Sequence, residues 1–140
     1  MTATAEWTVI HAYTVADAVR DQAMRLADGQ LTAEAGYKLP VAFTRAAWAE
    51  VIAWHRGDDG WQSETGRLWD VLTVARRAAQ AAVRQPGDRY GFIVYRVPNR
   101  TPRGRLATGD RATRAQLVVS CQAWDTDGRA ALVVMRPGED

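Results

Sequence analysis

The chain has 140 residues, of which 47% are hydrophobic and 24% are charged, the composition of an ordinary globular protein rather than a disordered or fibrous one. A chain of this length buries roughly two thirds of its unfolded surface, so we expect one domain over residues 1–140. No apolar run approaches the roughly 20 residues of a membrane-spanning helix, and the N-terminus lacks the features of a signal peptide. We therefore expect a cytoplasmic protein that does not interact with membranes.

The net charge of +2 hides an uneven distribution along the chain. Residues 76–114 carry ten arginines and two carboxylates, a net charge of +8, whereas residues 1–75 have a net charge of −4. All but one of the 18 basic residues are arginine, whose planar guanidinium suits phosphate and carboxylate groups. This pattern indicates a polyanion-binding surface if the arginines converge on one face.

The N-terminal part begins with a short extended segment at residues 7–13, followed by a helical pattern. Thr14 can cap this helix, and Asp17 can complete a weaker form of the capping box. The apolar spacing predicts a helix over residues 15–27, and Gly29 is expected to end it because glycine readily takes the left-handed conformation of a C-cap.

Two further helices are predicted after an extended segment at residues 37–43. Thr44 can cap the first, which should end near Gly57. The second is the longest helical pattern in the chain and should run from a cap at Thr65 to about Arg84. Its apolar side chains recur at steps of three and four, which predicts a continuous stripe that packs across a sheet. The stripe consists of Leu68, Leu72, Ala75, Ala79 and Ala82 or Val83.

Beyond residue 86 the pattern changes from helix to strand. Residues 89–97 are apolar on both sides, which is typical of a central strand. Residues 117–123 alternate between apolar and polar side chains and predict a strand with one wet face. A hairpin turn at residues 125–128 should then lead into a last strand at residues 130–135.

The predicted fold class is α+β, with N-terminal helices packed on a C-terminal antiparallel sheet of three to five strands. The additional strands would lie at residues 7–13 and 39–43. Residues 98–114 hold two prolines, two glycines and five arginines, so we expect a long exposed loop, and such loops are usually functional or disordered. The residues expected to bind an anion or a partner are Arg96, Arg100, Arg103, Arg105, Arg111, Arg114 and Trp61.

No motif for a common cofactor or metal is present. The chain has no GxxxxGK, GxGxxG or GxSxG sequence, and one cysteine with two histidines cannot build a structural zinc site from these residue types. Cys121 lies in a strand-like run, where a buried apolar role is expected. We therefore predict no cofactor and no metal.

Two pairs of residues could carry catalysis. His11 and Tyr13 lie on one side of the first extended segment and could form an acid–base pair, or simply satisfy each other's polar groups. Arg67 and Asp70 are neighbours on the surface of the long helix, where they could form an ordinary ion pair or aim the arginine at an anion near the helix start. A pocket joining all four side chains would indicate an enzyme, whereas a flat basic face would indicate a binding protein.

A series of short motifs spans nearly the whole chain. They are Ile10-His11, Tyr13, Ala27-Asp28-Gly29, Glu34-Ala35-Gly36, Pro40-Val41-Ala42, Thr44, Trp48, Gly66-Arg67-Leu68-Trp69-Asp70-Val71-Leu72, Tyr95-Arg96-Val97-Pro98 and Pro137-Gly138-Glu139-Asp140. This order resembles an uncharacterised family, a domain of unknown function carried on plasmids, integrative elements and phages of actinobacteria and proteobacteria. The resemblance implies an accessory protein of a mobile element, with a role against host defences as one option, and it implies no chemistry.

The predicted function is therefore that of a binding protein whose partner is a protein or a nucleic acid. The alternative is a small enzyme or a nucleotide-binding protein that uses His11, Tyr13, Arg67 and Asp70.

Overall fold

A long helix lies across a five-stranded sheet. The computed structural model describes residues 13–57, 62–109 and 111–139. Within them the elements follow the order α1 (Val15–Arg20), β1 (Met24–Leu26), α2 (Gly29–Glu34), β2 (Val41–Thr44), α3 (Arg45–Val51), α4 (Glu64–Arg84), β3 (Arg89–Arg96), β4 (Thr113–Ala123) and β5 (Ala130–Met135). The predicted α+β class, with helices packed on a sheet, is confirmed. No helix among the described residues is long and apolar enough to cross a membrane.

The strands are arranged in the order β1-β2-β5-β4-β3. β3, β4 and β5 are antiparallel to one another, as predicted. β2 runs parallel to β5 and antiparallel to β1, so the sheet is mixed rather than wholly antiparallel. β2 confirms the additional strand expected at residues 39–43. The strand expected at residues 7–13 lies outside the described residues, apart from Tyr13, which belongs to no strand.

α4 covers one face of the sheet with the predicted apolar stripe, and its inner positions end with Ala82 rather than with the half-exposed Val83. Because side chains alternate along a strand, every second residue of β3 and β4 faces this helix. Cys121 is one of them, and burial raises the pKa of its thiol. The core residues that the strands contribute here include Phe92, Val94, Ala115, Leu117, Val119, Cys121, Leu132 and Val134.

The start of α4 differs from the prediction. Ser63, not Thr65, caps the helix, and its hydroxyl accepts a hydrogen bond of 3.0 Å from the Gly66 N–H. Both hydroxyl residues can satisfy an unpaired N–H group of the first turn, so the two positions cannot be told apart by residue type. The helix starts at Glu64, which places Arg67 one turn inside it.

α1 is shorter than predicted. Thr14 caps it and Asp17 completes the capping box as expected, but the helix has only six residues. Gln22 then takes a positive φ of 63°, and residues 24–26 turn back to pair with β2 as strand β1. These residues continue the apolar spacing of α1, but pairing with β2 overrides this weak helical preference.

The predicted helix end at Gly29 is also wrong. The Asp28 carboxylate accepts a hydrogen bond of 2.9 Å from the Leu31 N–H, so it caps α2, and Gly29 is the first residue of that helix. Aspartate followed by glycine is compatible with either end of a helix. Because strand β1 separates these two residues from α1, they start the next helix, α2, instead of ending α1.

The face of the sheet that does not pack against α4 is covered near β1 and β5 and exposed at β3. Near β1 and β5 it carries a smaller apolar cluster that includes residues of α1. At β3, however, Ile93 and Tyr95 are exposed on this face, and β3 is the last strand of the sheet. Within residues 13–57, 62–109 and 111–139, β3 is therefore an edge strand rather than the predicted central one. The buried residues of the smaller cluster are Val15, Ala42, Ala131, Val133 and Met135.

Leu72 tests the packing of α4 on the sheet. Its side chain is 1% exposed, so Leu72→Ala should leave a cavity and lower the free energy of unfolding by about 2–5 kcal/mol. Val83→Ala, on the exposed side of the same helix, is the control and should change it by less than about 0.5 kcal/mol. Urea denaturation of both variants measures the difference, and equal effects would contradict the packing of this helix face.

Candidate functional site

A buried arginine joins α4 to the ends of α3 and β3. Arg67 is only 4% exposed. Its Nε donates a hydrogen bond of 3.0 Å to the Ile52 carbonyl, and its Nη1 donates one of 2.8 Å to the Val97 carbonyl and one of 3.3 Å to Oε1 of Gln62. Burial, and then repulsion from Arg96, lowers the pKa of Arg67 to about 10. The guanidinium is still protonated at neutral pH, so a buried charge sits at this junction.

Asp70 does not form the predicted pair with Arg67. No hydrogen bond or ion pair joins the two residues in the described part of the chain, and the exposed carboxylate acts on the arginine only as a longer-range attraction that raises its pKa. Both residues nevertheless line one cavity of about 170 Å³, together with Gln62, Tyr95 and Arg96. The cavity is bordered by the end of β3 on one side and by α4 on the other.

Tyr13 lies elsewhere in the fold. Its hydroxyl donates a hydrogen bond of 2.9 Å to the Asp21 carboxylate, which raises the pKa of Tyr13. It lines a different cavity, of about 510 Å³, beside Thr44. His11 lies outside the described residues. The described part of the chain therefore does not bring Tyr13 together with Arg67, as the predicted four-residue site requires.

Asn99 anchors the arginine-rich segment to the chain that follows α3. Its Nδ2 donates a hydrogen bond of 2.7 Å to the Ala53 carbonyl, and its Oδ1 accepts one of 2.8 Å from the His55 N–H. Farther along, Arg56 Nη1 donates a bond of 2.7 Å to the Gly109 carbonyl. The segment is therefore held at both ends, although its composition predicted an unattached loop. A single asparagine amide that can both donate and accept was the available signal.

Residues 99–107 form a small hairpin within the predicted loop. The Thr101 N–H donates to the Arg105 carbonyl at 2.7 Å, and the Gly104 N–H donates to the Thr101 carbonyl at 2.9 Å. Gly104 has a φ of +85°, which glycine adopts without strain. A proline early in the turn and a left-handed glycine at its end are the residues that short hairpin loops favour, so Pro102 and Gly104 could have revealed the hairpin.

The predicted arginines divide into one structural residue and five exposed ones. Arg96 is structural, because its Nε donates to the Glu50 carbonyl at 3.1 Å and its Nη1 donates to Oγ1 of Thr113 at 2.6 Å. Arg100 is exposed but donates to the Gly104 carbonyl at 3.0 Å, which steadies the hairpin. We call the exposed set the arginine surface: Arg100, Arg103, Arg105, Arg111 and Arg114.

An exposed aromatic side chain adjoins the arginine surface. Tyr95 is 67% exposed and lies directly opposite Arg114 in the β3–β4 pair. Opposed residues of an antiparallel pair have Cβ atoms roughly 5 Å apart on the same face, so the two side chains are neighbours on the open face of the sheet. Tyr95 was not among the predicted site residues, because β3 was expected to be buried on both faces. Trp61, which was predicted, lies outside the described residues.

A wider cleft of about 810 Å³ lies beside β1 and α3, where its lining includes Arg25, Trp48, His55 and Glu64. Three of these four residues already have partners. The Arg25 guanidinium lies 4.2 Å from the Trp48 ring centre, and the Glu64 carboxylate accepts a hydrogen bond of 3.2 Å from the Trp54 N–H. Among the described residues, no group of three His, Cys, Asp or Glu side chains could hold a metal ion.

No protein-family model, curated protein or solved structure matches this chain.

Asn99→Ala tests whether this side chain holds the arginine-rich segment in place. The substitution removes the partner of the Ala53 carbonyl and of the His55 N–H, so it should lower the free energy of unfolding by about 1–3 kcal/mol. Hydrogen exchange in residues 100–107 should become faster, because the hairpin loses its attachment. Gln116→Ala removes an exposed amide from β4 and serves as the control. Unchanged exchange in Asn99→Ala would show that the hairpin is held by other contacts.

Proposed function

We propose that the protein is a non-enzymatic binding protein that holds a nucleic acid through the arginine surface. The observation that carries the proposal is that four exposed arginines lie on the segment between β3 and β4 and a fifth, Arg114, lies at the start of β4. No carboxylate in the described part of the chain pairs with them. Neighbouring guanidinium groups repel one another, and a polyanion offsets that repulsion. Phosphate contacts of this kind also release counterions from the nucleic acid.

The order of the segment before binding supports this proposal. The Asn99 amide and the hairpin turn fix the backbone that carries Arg100, Arg103 and Arg105. A flexible loop would lose conformational entropy when it met its partner, and a preordered one loses less. Together with Arg114, which lies in the paired strand β4, four of the five arginines are thus presented on a fixed backbone, with only their side chains left to adjust.

Tyr95 favours a single-stranded nucleic acid over an acidic protein surface. A base that is not stacked in a duplex can stack on an exposed aromatic ring, and this kind of binding tolerates any base. Arg114, directly across the strand pair, is placed to meet the phosphate beside such a base. An acidic protein would satisfy the arginines but would leave the ring without a specific role. We expect little sequence preference, since phosphate contacts carry no base information.

The sequence resemblance supplies the setting of this proposal. It implies an accessory protein of a mobile genetic element, and binding of the element's or the host's nucleic acid in the cytoplasm would suit that role. Protection of the element against host defences belongs to the same proposal and rests on the resemblance alone.

Charge removal from the hairpin tests the proposal. Arg100, Arg103 and Arg105 are changed together to Ala, and fluorescent single-stranded and duplex DNA are titrated at two salt concentrations. The wild type should bind single strands with an affinity that falls as salt rises. Because each phosphate contact contributes about 0.7 to the salt slope on a single strand, the triple variant should bind at least roughly tenfold more weakly and with a slope smaller by about two.

The matched control removes the same charge from another part of the surface. Lys38, Arg77 and Arg84 are exposed, and their joint change to Ala should leave most of the affinity intact. If both triple variants weaken binding equally, the effect comes from net charge and not from the arginine surface. If the wild type binds no nucleic acid even at low salt, the proposal is wrong and an acidic protein partner should be sought.

Tyr95→Ala tests the stacking role separately. Loss of one base–aromatic contact should weaken single-strand binding by about 1–3 kcal/mol and should leave duplex binding nearly unchanged. Tyr95→Phe retains the ring and should bind as the wild type does. Ile93→Ala, on the same face of β3, is the control for a general effect on the strand. Equal losses on single-stranded and duplex DNA would contradict stacking.

A further inference from the structure

A groove lies between the second half of α4 and residues 36–39, the segment that joins α2 to β2. Its volume is about 520 Å³, within the range of roughly 300–1,000 Å³ that is usual for small-molecule sites. Ala79 and Leu132 are buried, whereas Val83 is 45% exposed, so the groove runs from the surface down to the main core. Its apolar floor consists of Leu39, Ala79, Val83 and Leu132.

Three basic side chains accompany this apolar floor. Lys38 comes from the segment before β2, and Arg76 and Arg84 come from α4, about two turns apart. All three are exposed. None of the described lining residues is acidic, and no carboxylate of the described chain forms an ion pair with any of the three. Exposed cations without a counter-charge attract an anion to the groove.

The shape of the groove is fixed by two contacts. A Cβ atom at position 36 would lie 3.1 Å from Cζ, 3.2 Å from Nη2 and 3.3 Å from Nε of Arg76, so the face of the guanidinium lies against the backbone of Gly36. The N–H groups point outward in the guanidinium plane, and a contact with its face leaves them available to a ligand. The Tyr37 hydroxyl donates a hydrogen bond of 2.6 Å to the Leu72 carbonyl, which holds the ring that lines the same groove.

We propose that this groove binds a small amphipathic carboxylate, the anion of a fatty acid. The carboxylate accepts charge-assisted hydrogen bonds from the Arg76 guanidinium, a geometry that suits two oxygens, and Lys38 and Arg84 add attraction. The hydrocarbon chain lies on the apolar floor and removes its own surface and part of Val83 from water. A nucleic-acid phosphate would satisfy the cations but would leave the floor uncovered. The groove shares no residue with the arginine surface.

Octanoate is the first probe, titrated by isothermal titration calorimetry below the concentration at which it forms micelles. It should bind saturably, with a single molecule in each protein. The neutral 1-octanol should bind at least roughly tenfold more weakly because it lacks the charge, and acetate should not saturate because it lacks the chain. Each CH₂ group added from hexanoate to decanoate should raise the affinity roughly two- to fourfold.

Arg76→Gln tests the named donor. It should weaken octanoate binding roughly three- to tenfold, since it removes a charge beside the carboxylate. Arg77→Gln makes the same change at the next exposed residue of α4, which does not line the groove, and should bind as the wild type does. Equal losses in the two variants, or no saturable binding of octanoate by the wild type, would overturn the proposal.

Val83→Ala tests the apolar floor without any change of charge. It should weaken octanoate binding roughly twofold, whereas Val74→Ala, which shortens another exposed valine of the same helix, should leave the affinity unchanged. If Arg76→Gln fails to fold, this comparison decides alone, and equal affinities of the two valine variants would contradict the groove as the site.

Two triple variants separate this site from nucleic-acid binding. The variant that lacks Arg100, Arg103 and Arg105 should keep the octanoate affinity of the wild type. The charge control, which lacks Lys38 and Arg84 of the groove, should bind octanoate at least roughly tenfold more weakly and should still bind DNA. The reverse pattern would overturn the proposal.

Vesicles of phosphatidylcholine and phosphatidylglycerol distinguish a single amphipathic molecule from a membrane surface. Arg76→Gln and Arg77→Gln should sediment with them to the same extent, because the groove holds one molecule and not a bilayer. A loss of vesicle binding in Arg76→Gln alone, without binding of free octanoate by the wild type, would overturn the proposal in favour of a lipid surface.

Discussion

One buried guanidinium fixes the relative positions of three segments of the chain. Arg67 extends from α4 to the carbonyl of Ile52, just after α3, and to the carbonyl of Val97, just after β3. Carbonyl groups at such chain ends have no partner within their own element and need one when they are buried. A side chain with several donors in a rigid fork can satisfy two of them at once. The ends of α3 and β3 are held together in this way, although they are distant in sequence.

The same junction positions the exposed surface. The Arg96 side chain donates to the Glu50 carbonyl, and the Asn99 amide bonds the Ala53 carbonyl and the His55 N–H. Residues 50–55 therefore contact Arg67 of α4 and two side chains from the strand and loop that follow α4. The backbone carbonyls at the end of α3, which have no acceptor role within the helix, thus bind side chains from other parts of the chain. These bonds hold the backbone of the arginine-rich segment in place, although most of the segment's own side chains are exposed.

Sequence patterns predicted the features that depend on local periodicity. The stripe of α4 and the strands β3 and β5 follow from side-chain periodicity and were found with nearly correct bounds, whereas β4 begins at Thr113, four residues before the predicted start and inside the predicted loop. β1 was missed because residues 24–26 continue the spacing of α1, and only their partner strand decides their conformation. The role of Arg67 was hidden for a similar reason. Its acceptors are the backbone carbonyls of Ile52 and Val97. Every residue has a backbone carbonyl, so these acceptors could not be recognised from the sequence, whereas the Asp70 carboxylate, three residues away, was a plausible partner.

The position of β5 in the sheet has a consequence for how the protein is made. β5 lies between β2 and β4, so residues 41–43 find their parallel partner only at residues 132–134. Contacts between such distant parts of the chain form slowly, because a large loop must close first. During translation the N-terminal strands would leave the ribosome exit tunnel long before β5 does. The two halves of the sheet can join only after β5 has left the tunnel, and chaperones would meet a chain whose apolar strand faces are still uncovered.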